Sequence, residues 1–330
     1  MDVETAFLYG ELEEEVYMIC KENHEEDEVL LLQHSIYGLV QSARQYFKYF
    51  INKLRKIGFK GGYPDPCLMT CRDKNGIVFT SIWVDDSLLV GNTEAVDATI
   101  EDLRKEGFVL KVEGALDDYL SCEITILDDN SFGWIHQPHL ITKIEKKFGI
   151  FIKKIQPYKT PGTPGLSILR NPELSVDDEK KTLYQSGVGM LLYLVKHTQP
   201  DIANPVRELS KCLNGPNKEL LSVVKFVIDT KDLALKLQPI AEDGPEWQIV
   251  AFSDSDYAGD KETRISVAGF ILYLMGVPIS WRSKGEKSVT LSSSEAEYVA
   301  LSEAAKEVKY VYQVLARMGI QVKFTDYRLC

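Results

Sequence analysis

The chain has 330 residues, of which 45% are hydrophobic and 26% are charged, so its composition is typical of a folded protein of two or more domains and excludes a fibrous or disordered one. The longest nearly uninterrupted apolar stretch, Gly269 to Trp281, is too short to cross a bilayer, and no leader pattern opens the chain, so neither a membrane span nor secretion is predicted. The six cysteines form no CxxC pair and the five histidines are scattered, which indicates reduced thiols inside a cell and no zinc site.

The net charge of −11 is distributed unevenly along the chain. Residues 2–28 carry eleven acids and one lysine, whereas residues 31–64 contain no acid at all. Two basic clusters follow: Arg44, Lys48, Lys53, Arg55, Lys56 and Lys60, interleaved with Tyr46, Phe47, Tyr49 and Phe50, and then Lys143, Lys146, Lys147, Lys153, Lys154 and Lys159. A solvated helix face is the commoner meaning of either cluster alone, but two clusters near acidic motifs favour contacts with phosphates.

The order of apolar and β-prone runs predicts a mixed chain of helices and strands. Helices are predicted over residues 42–57, 94–107, 139–148, 182–196, 218–229 and 294–318. Strands are predicted over residues 77–81, 88–90, 108–112, 119–127, 249–252, 267–275 and 278–282. The first two strands form a hairpin with Asp85 and Asp86 at or beside its turn, residues 160–165 form a turn-rich linker, and Ser292 with Glu295 forms a capping box.

Carboxylates carry the chemistry that the sequence suggests. If a strand carrying Asp2 lay beside the hairpin, then Asp2, Asp85 and Asp86 would share one site. Like charges held so close persist only when cations bind them, and oxygen ligands select Mg²⁺ or Mn²⁺. Two such ions can support an in-line phosphoryl transfer. An adjacent pair of aspartates at a turn is more often simply solvated, so the pair needs support from elsewhere in the chain.

That support comes from a resemblance that runs along nearly the whole chain. The segments MDVETAFLYGELEEEVYM (residues 1–18), SIYGLVQSAR (residues 35–44) and WVDD (residues 83–86) resemble the reverse transcriptase of copia-type long-terminal-repeat retrotransposon polyproteins. The resemblance implies a palm in which Asp2 and Asp85 hold catalytic Mg²⁺ and Asp86 supports them. It also implies the following substrate-binding residues: Phe7, which excludes a ribose 2′-hydroxyl, Gly38, which lets nucleotide and template approach, Gln41 and Arg44.

A second signature lies in the last third of the chain. The segments AFSDSDYAGD (residues 251–260) and SSSEAEYVAL (residues 292–301) resemble the ribonuclease H of the same family. Asp254 and Glu297 would bind Mg²⁺ there for hydrolysis of the RNA strand of a hybrid. Either segment alone would be typical of an acidic turn or of acids that cap a helix. The family's third aspartate has no counterpart in Thr325–Cys330, where the resemblance ends.

The resemblance implies an α+β fold with five parts. These are a reverse transcriptase palm without fingers over residues 1–125, a thumb-like part over 126–158, a linker over 159–176, a helical connection over 177–245 and an incomplete ribonuclease H-like α/β domain over 246–330. The implied partners are an RNA template, a DNA primer, an RNA–DNA hybrid and deoxynucleoside triphosphates, with no membrane. The implied location is intracellular, in a cytoplasmic particle and the nucleus.

Departures from the family pattern bear on activity. Trp83, Val40, Ala43 and Ser121 stand where the family tends to have Tyr, Lys, Pro and Gly. The missing fingers and an Asp2 without a preceding strand to hold it lead us to expect that the chain as given is inactive at the polymerase site. We expect inactivity at the ribonuclease site because two family carboxylates out of a larger set remain, which leaves at least one Mg²⁺ under-coordinated. The alternative is a non-catalytic remnant that binds nucleic acid; another two-metal nucleotidyl enzyme with a palm-like core fits less well because of the second signature.

Overall fold

The computed structural model describes residues 1–19, 29–114, 116–127, 132–163, 165–170, 177–215, 217–240, 247–324 and 328–329. They fall into two compact units, Met1–Ala115 and Leu116–Cys330. Both units combine helices with sheets, in agreement with the predicted α+β class. Within the described ranges, no helix is both long enough and apolar enough to span a membrane.

The first unit is built mainly from an antiparallel sheet with the strand order β4-β5-β6-β7-β1-β8. Its strands are β1 (Asp2–Val3), β2 (Tyr17–Ile19), β3 (Val29–Leu31), β4 (Lys60–Gly61), β5 (Leu68–Asp73), β6 (Gly76–Trp83), β7 (Asp86–Gly91) and β8 (Leu110–Lys111). Its helices are a 3₁₀ turn (Ala6–Tyr9), α1 (Ser42–Lys56) and α2 (Thr93–Lys105). Strands β2 and β3 form a separate two-stranded ribbon.

The core of the first unit follows directly from the sequence periodicity. Helix α1 buries Tyr46, Phe50 and Leu54 completely, and these residues recur every four positions on one helix face. Strand β6 buries Val78 and Ile82 on one side of the sheet, with the alternation expected of a strand whose other face is less covered. The predicted helices 42–57 and 94–107 and the predicted hairpin are therefore confirmed.

The second unit contains a helical core and two sheets. Its helices are α3 (Pro138–Ile152), α4 (Asp178–His197), α5 (Ala203–Ser210), α6 (Glu219–Asp229) and α7 (Ser293–Met318), with a 3₁₀ turn at Pro200–Ile202. Its strands are β9 (Asp118–Tyr119), β10 (Cys122–Ile126), β11 (Gly133–His136), β12 (Leu235–Leu237), β13 (Trp247–Asp256), β14 (Val267–Leu274), β15 (Val277–Gly285), β16 (Val322–Phe324) and β17 (Arg328–Leu329). Helices α3, α4, α5 and α6 share one apolar core.

The two sheets of the second unit differ in strand direction. One is antiparallel with the order β12-β11-β10-β9. In the other, β13, β14 and β15 form an antiparallel meander, β16 and β17 pair with β13 in parallel, and α7 packs on β13 and β14. The family's third aspartate is predicted to have no counterpart in residues 325–330, and residues 325–327 and 330 of that segment lie outside the described residues.

The structure corrects three predictions about secondary structure and domains. The strand predicted over residues 119–127 is two strands, because Leu120 and Ser121 form a tight turn with φ of 52° and 59°. Helix α5 was not predicted. The boundaries at 125, 158 and 176 do not separate compact parts, since one sheet joins β10, β11 and β12 across all of them and all four predicted parts after residue 125 lie in the second unit.

Part of the predicted linker is also packed rather than open. The Ile168 side chain is buried, and its backbone N–H donates to the Glu208 carboxylate of α5 at 2.8 Å. The Ser167 hydroxyl accepts from the Lys261 N–H at 3.4 Å. A turn-rich composition indicates where helices end, but it does not show whether the connecting segment packs against other elements.

Candidate active site

Strand β1 brings Asp2 to the hairpin. Asp2 lies opposite Asp86 of β7 on one side and opposite Lys111 of β8 on the other. The Val3 N–H donates to the Asp85 carbonyl at 3.1 Å, and Met1 exchanges two backbone bonds with Ser87 at 2.8 and 3.0 Å. Asp2 is therefore held by pairing on both sides. The expectation that it lacks a strand to fix it is wrong, because neighbouring strands of the sheet supply that support.

The hairpin turn that carries Asp85 is strained. Trp83 pairs with Asp86, so Val84 and Asp85 are the two residues of the turn. Val84 has φ of 56°, a left-handed conformation that is rare for a β-branched residue. Such strain persists only where surrounding structure imposes it, and it is concentrated at functional sites. Here the flanking ladder and the bonds to β1 impose it.

The three aspartates influence one another electrostatically. Burial raises the pKa of Asp86 above its ordinary value, and the negative charges of Asp85 and Asp2 raise it further, while the terminal amine of Met1 opposes them. Oxygen donors of this kind suit a hard divalent cation. Among the residues that the structure describes, no group of three or more His, Cys, Asp or Glu is arranged to hold a metal ion, so the aspartates share a neighbourhood without forming a closed cage.

Two of the predicted substrate-binding residues, Phe7 and Gly38, are connected through Tyr37. The Phe7 ring contacts the Tyr37 ring, with centroids 4.7 Å apart, and the Ser35 hydroxyl donates to the Phe7 carbonyl at 2.5 Å. Gly38 follows with φ of 98°, and a Cβ there would meet nothing within 4 Å, so its conformation rather than close packing requires glycine. Phe7 and Gly38 are thus brought together.

Gln41 and Arg44 lie at the start of α1. Gln41 is half-buried at the position before the helix, and Arg44 is exposed. The charge of Arg44 contributes to lowering the pKa of Glu13, after larger effects from Lys48 and Gln45. Arg44 therefore faces an acidic side chain of its own unit. Its proposed role in substrate binding stays a prediction.

The predicted basic and aromatic face of α1 does not exist as one surface. Tyr46 and Phe50 are fully buried in the core, and the Tyr49 ring is stacked on Tyr9. Glu106 forms ion pairs with two lysines of the face, and Glu13 forms an ion pair with a third lysine. These pairs are Lys53–Glu106 at 3.0 Å, Lys56–Glu106 at 2.6 Å and Lys48–Glu13 at 2.5 Å. The lysines hold the pKa of Glu106 below its ordinary range.

The second basic cluster is exposed on and after α3. Lys143, Lys146, Lys153, Lys154 and Lys159 are all exposed, whereas apolar residues of α3 face the core. Exposure of this kind is compatible both with phosphate contacts and with a solvated face.

Asp254 and Glu297 lie towards the same end of their sheet. Strand β16, which follows the C-terminus of α7, pairs with the start of β13 at Trp247, so the N-terminus of α7 lies towards the other end of β13. Asp254 is about 23 Å along β13 from Trp247 at ~3.3 Å per residue. Glu297 is about 32 Å along α7 from Met318 at ~1.5 Å per residue.

The cap of α7 distinguishes its two candidate glutamates. The Ser292 hydroxyl accepts from the Glu295 N–H at 3.1 Å, which confirms half of the predicted capping box, and the Glu295 carboxylate accepts from the Leu291 N–H at 2.6 Å. Glu295 is therefore engaged at the cap. In Glu297, Oε2 is buried without a hydrogen-bond partner among the described residues.

Glu286 is a residue near this place that the sequence did not indicate. It follows β15, and both carboxylate oxygens are buried. Burial raises its pKa, the Thr290 hydroxyl opposes that shift, and the charges of Glu295 and Glu297 raise the pKa further. No local pattern could have shown this, because the neighbourhood arises from the packing of β15 against α7.

Comparison with known proteins agrees with the geometry of the first unit. A family model described as reverse transcriptase (RNA-dependent DNA polymerase) matches residues 1–162, which include Asp2 and the Asp85 hairpin. The chain belongs to the reverse transcriptase family of retrotransposons. This confirms the resemblance to reverse transcriptases drawn from the motifs of residues 1–18, 35–44 and 83–86, and the match extends beyond the first compact unit.

Three relatives align with more than nine tenths of this chain. The retrovirus-related Pol polyprotein from transposon TNT 1-94 of Nicotiana tabacum is 32% identical over 98% of the chain and 25% of the relative. The corresponding polyprotein from transposon RE1 of Arabidopsis thaliana is 30% identical over 98% of the chain and 22% of the relative. The putative transposon Ty5-1 protein YCL074W of Saccharomyces cerevisiae is 26% identical over 93% of the chain and 100% of the relative. The chain thus spans about a quarter of the two plant polyproteins.

Proposed function

We propose that the first unit is the palm of an RNA-directed DNA polymerase, in which Asp2 and Asp85 bind two Mg²⁺ or Mn²⁺ ions and Asp86 supports them. The observation that carries the proposal is the insertion of β1 between β7 and β8, which sets Asp2 opposite Asp86 and beside Asp85. The family match over residues 1–162 supports the same assignment.

The chain's own residues supply orientation and selection. When bound, the metal ions would lower the barrier to attack by a primer 3′-hydroxyl and stabilise the leaving pyrophosphate. The strained turn at Val84 fixes the backbone that carries Asp85, and the ladder fixes the backbone of Asp2. The Phe7 ring, held against Tyr37, would lie beside the sugar of a deoxynucleoside triphosphate and exclude a 2′-hydroxyl. We propose an RNA template and a DNA primer as the partners of this site.

The test compares Asp85→Asn with Asp97→Asn, an exposed aspartate of α2 in the same unit. We expect Asp85→Asn to abolish high-affinity Mn²⁺ binding, followed by proton relaxation enhancement, and any Mg²⁺-dependent primer extension on an RNA template. Asp97→Asn should change neither. Equal Mn²⁺ affinity in both variants and the unchanged protein would refute the metal assignment.

We infer a second activity, ribonuclease H, from the buried and unpartnered Oε2 of Glu297 and its place towards the same end of the sheet as Asp254. Both carboxylates would bind Mg²⁺, and the site would support hydrolysis of the RNA strand of an RNA–DNA hybrid. Glu297→Gln should abolish hybrid cleavage, whereas Glu303→Gln, a paired and half-exposed residue of the same helix, should retain it. Cleavage that survives Glu297→Gln would contradict the assignment.

The alternative, a remnant that only binds nucleic acid, predicts a different result. The exposed lysines of α3 would then give duplex affinity that falls steeply with salt, with neither extension nor cleavage. Charge reversal at Lys143, Lys146 and Lys154 should reduce both the affinity and its salt slope under either function.

A further inference from the structure

A small cleft of about 190 Å³ lies between α7 and the strands β14 and β15. Its apolar lining comes from Ala268 and Phe270 of β14 and from Val299 of α7. Phe270 and Val299 are half-buried, so part of each side chain remains exposed. Clefts that enclose a whole small molecule usually measure ~300–1,000 Å³, so this one has room for one part of a ligand that extends beyond it.

Polar contacts join β15 to α7 in a regular series that stops at this cleft. Two alternate residues of β15 donate to glutamates one turn apart on α7: Ser280 to Glu307 at 2.9 Å and Arg282 to Glu303 at 3.2 Å. The next step of the series combines Lys284 of β15 with Val299 of α7, because alternate strand residues share a face and so do helix residues four apart. Both residues line the cleft. Val299 is apolar, so the series provides no acid for the Lys284 ammonium group.

The cleft contains more cations than anions. Four basic residues and two glutamates line it: Arg282, Lys284, Lys287, Lys306, Glu286 and Glu303. Glu303 pairs with Arg282 at 3.2 Å and with Lys306 at 2.5 Å. Lys287 makes no such contact with Glu303, although its charge follows those of Lys306 and Arg282 among the causes that lower the pKa of that carboxyl. Lys284 and Lys287 are exposed and form no ion pair with any residue that the structure describes, so both can neutralise an external anion.

We propose that this cleft binds one unpaired nucleotide, with its phosphate at Lys284 and Lys287 and its base against the Phe270 ring. Basic side chains beside an accessible aromatic ring hold single-stranded nucleic acid without reading its sequence, because every base has a face that can stack. The base must be unpaired, since a base inside a duplex already stacks on its neighbours. The inference goes beyond the proposed function, because it needs neither a metal ion nor a cleavage reaction.

The first test uses the unchanged protein, so it does not depend on the folding of a variant. Backbone amides of residues 268–270 and 284–288 are followed by NMR while an oligothymidylate of about six nucleotides is added. We expect these amides to shift with saturable binding. The same strand paired in an RNA–DNA hybrid should not shift residues 268–270. Unchanged cleft amides with the single strand, or equal shifts with the hybrid, would overturn the proposal.

The second test divides the site between phosphate and base. The double variant Lys284→Ala/Lys287→Ala should weaken binding of the oligothymidylate to the cleft and reduce its salt slope by ~0.7 for each lost phosphate contact. Phe270→Leu keeps an apolar side chain but removes the ring, and it should weaken binding about fivefold or more. Lys309→Ala, at an exposed lysine of α7 outside the cleft, is the matched control. Affinities are read from the cleft amides, so binding to the lysines of α3 does not enter them. Either lysine or ring variant behaving like Lys309→Ala would contradict the assignment.

Two small probes identify the source of the nucleotide. Thymidine monophosphate should bind more tightly than inorganic phosphate, because only the former can stack on Phe270. Equal affinity of these two probes would overturn the contact with the base. An oligothymidylate that binds more tightly than the monophosphate assigns the cleft to a nucleotide within a strand, whereas equal binding assigns it to a free nucleotide.

Discussion

Replacing Glu208 of α5 with alanine is expected to lower the free energy of unfolding of the second unit by about 4 kcal/mol. Glu208 is only 2% exposed, and it contacts Arg207 at 2.6 Å, Lys211 at 2.7 Å and the Ile168 N–H at 2.8 Å. Removing one member of a buried charge pair costs about 3–5 kcal/mol, because the remaining charges stay buried without compensation. The lost bond to Ile168 leaves a buried donor unsatisfied, which adds to the cost, whereas the pair between Lys211 and Asp260 is retained and limits it, so the middle of that range applies.

Two further variants refine the magnitude. Glu208→Gln keeps an oxygen that can accept from Ile168 but loses the charge, so about 2 kcal/mol is expected. Glu145→Ala removes an exposed glutamate whose ion pair with Lys231 spans 3.7 Å, and it should change stability by less than about 0.5 kcal/mol. Lys211 also pairs with Asp260 at 2.9 Å, so it is not left without any partner.

The measurement is urea unfolding followed by fluorescence, combined with hydrogen exchange of the Ile168 amide. The amide should lose most of its protection in Glu208→Ala and keep it in Glu145→Ala. A loss of stability below about 1 kcal/mol in Glu208→Ala, with the Ile168 amide still protected, would refute the reasoning, since the contacts would then carry little of the energy assigned to a buried pair.

Three further predictions concern the palm and the helical core. Burial and neighbouring charge raise the pKa of Asp86 in the folded state, so the folded state binds the Asp86 proton more tightly than the unfolded state does. The free energy of unfolding should therefore fall as pH rises from the ordinary pKa of an aspartate through the raised pKa. Asp86→Asn should remove that fall in urea titrations at several pH values. Val84→Gly should raise the urea midpoint of unfolding, because a left-handed backbone costs a β-branched residue about 1–2 kcal/mol. The same variant should lower the Mn²⁺ affinity, because the turn becomes looser. A lower midpoint would contradict the predicted gain in stability. Gly187→Ala should destabilise by about 1–3 kcal/mol in the same unfolding assay, because its Cβ would lie 2.8 Å from the Phe148 ring, and an unchanged midpoint would show that the core can yield there.

Much of the local structure could be predicted because it depends on neighbouring residues. The apolar spacing of α1 and α7 gave both helices within a few residues of their observed bounds. The β-prone runs around Asp85 gave the hairpin, and the motifs gave the family. The turn at Leu120 and Ser121 was missed, because neither residue is typical of positive φ and only the surrounding ladder imposes it.

The candidate site was predictable as a set of residues but not as an arrangement. The sequence alone determined that Asp2, Asp85 and Asp86 are the acids to consider, because their motifs are continuous in the chain. Only the tertiary structure decided that β1 pairs with both β7 and β8, and that Glu106 neutralises lysines of α1 about fifty residues away. Pairing and burial of this kind join segments far apart in sequence, and they depend on how whole elements pack, which no local spacing encodes.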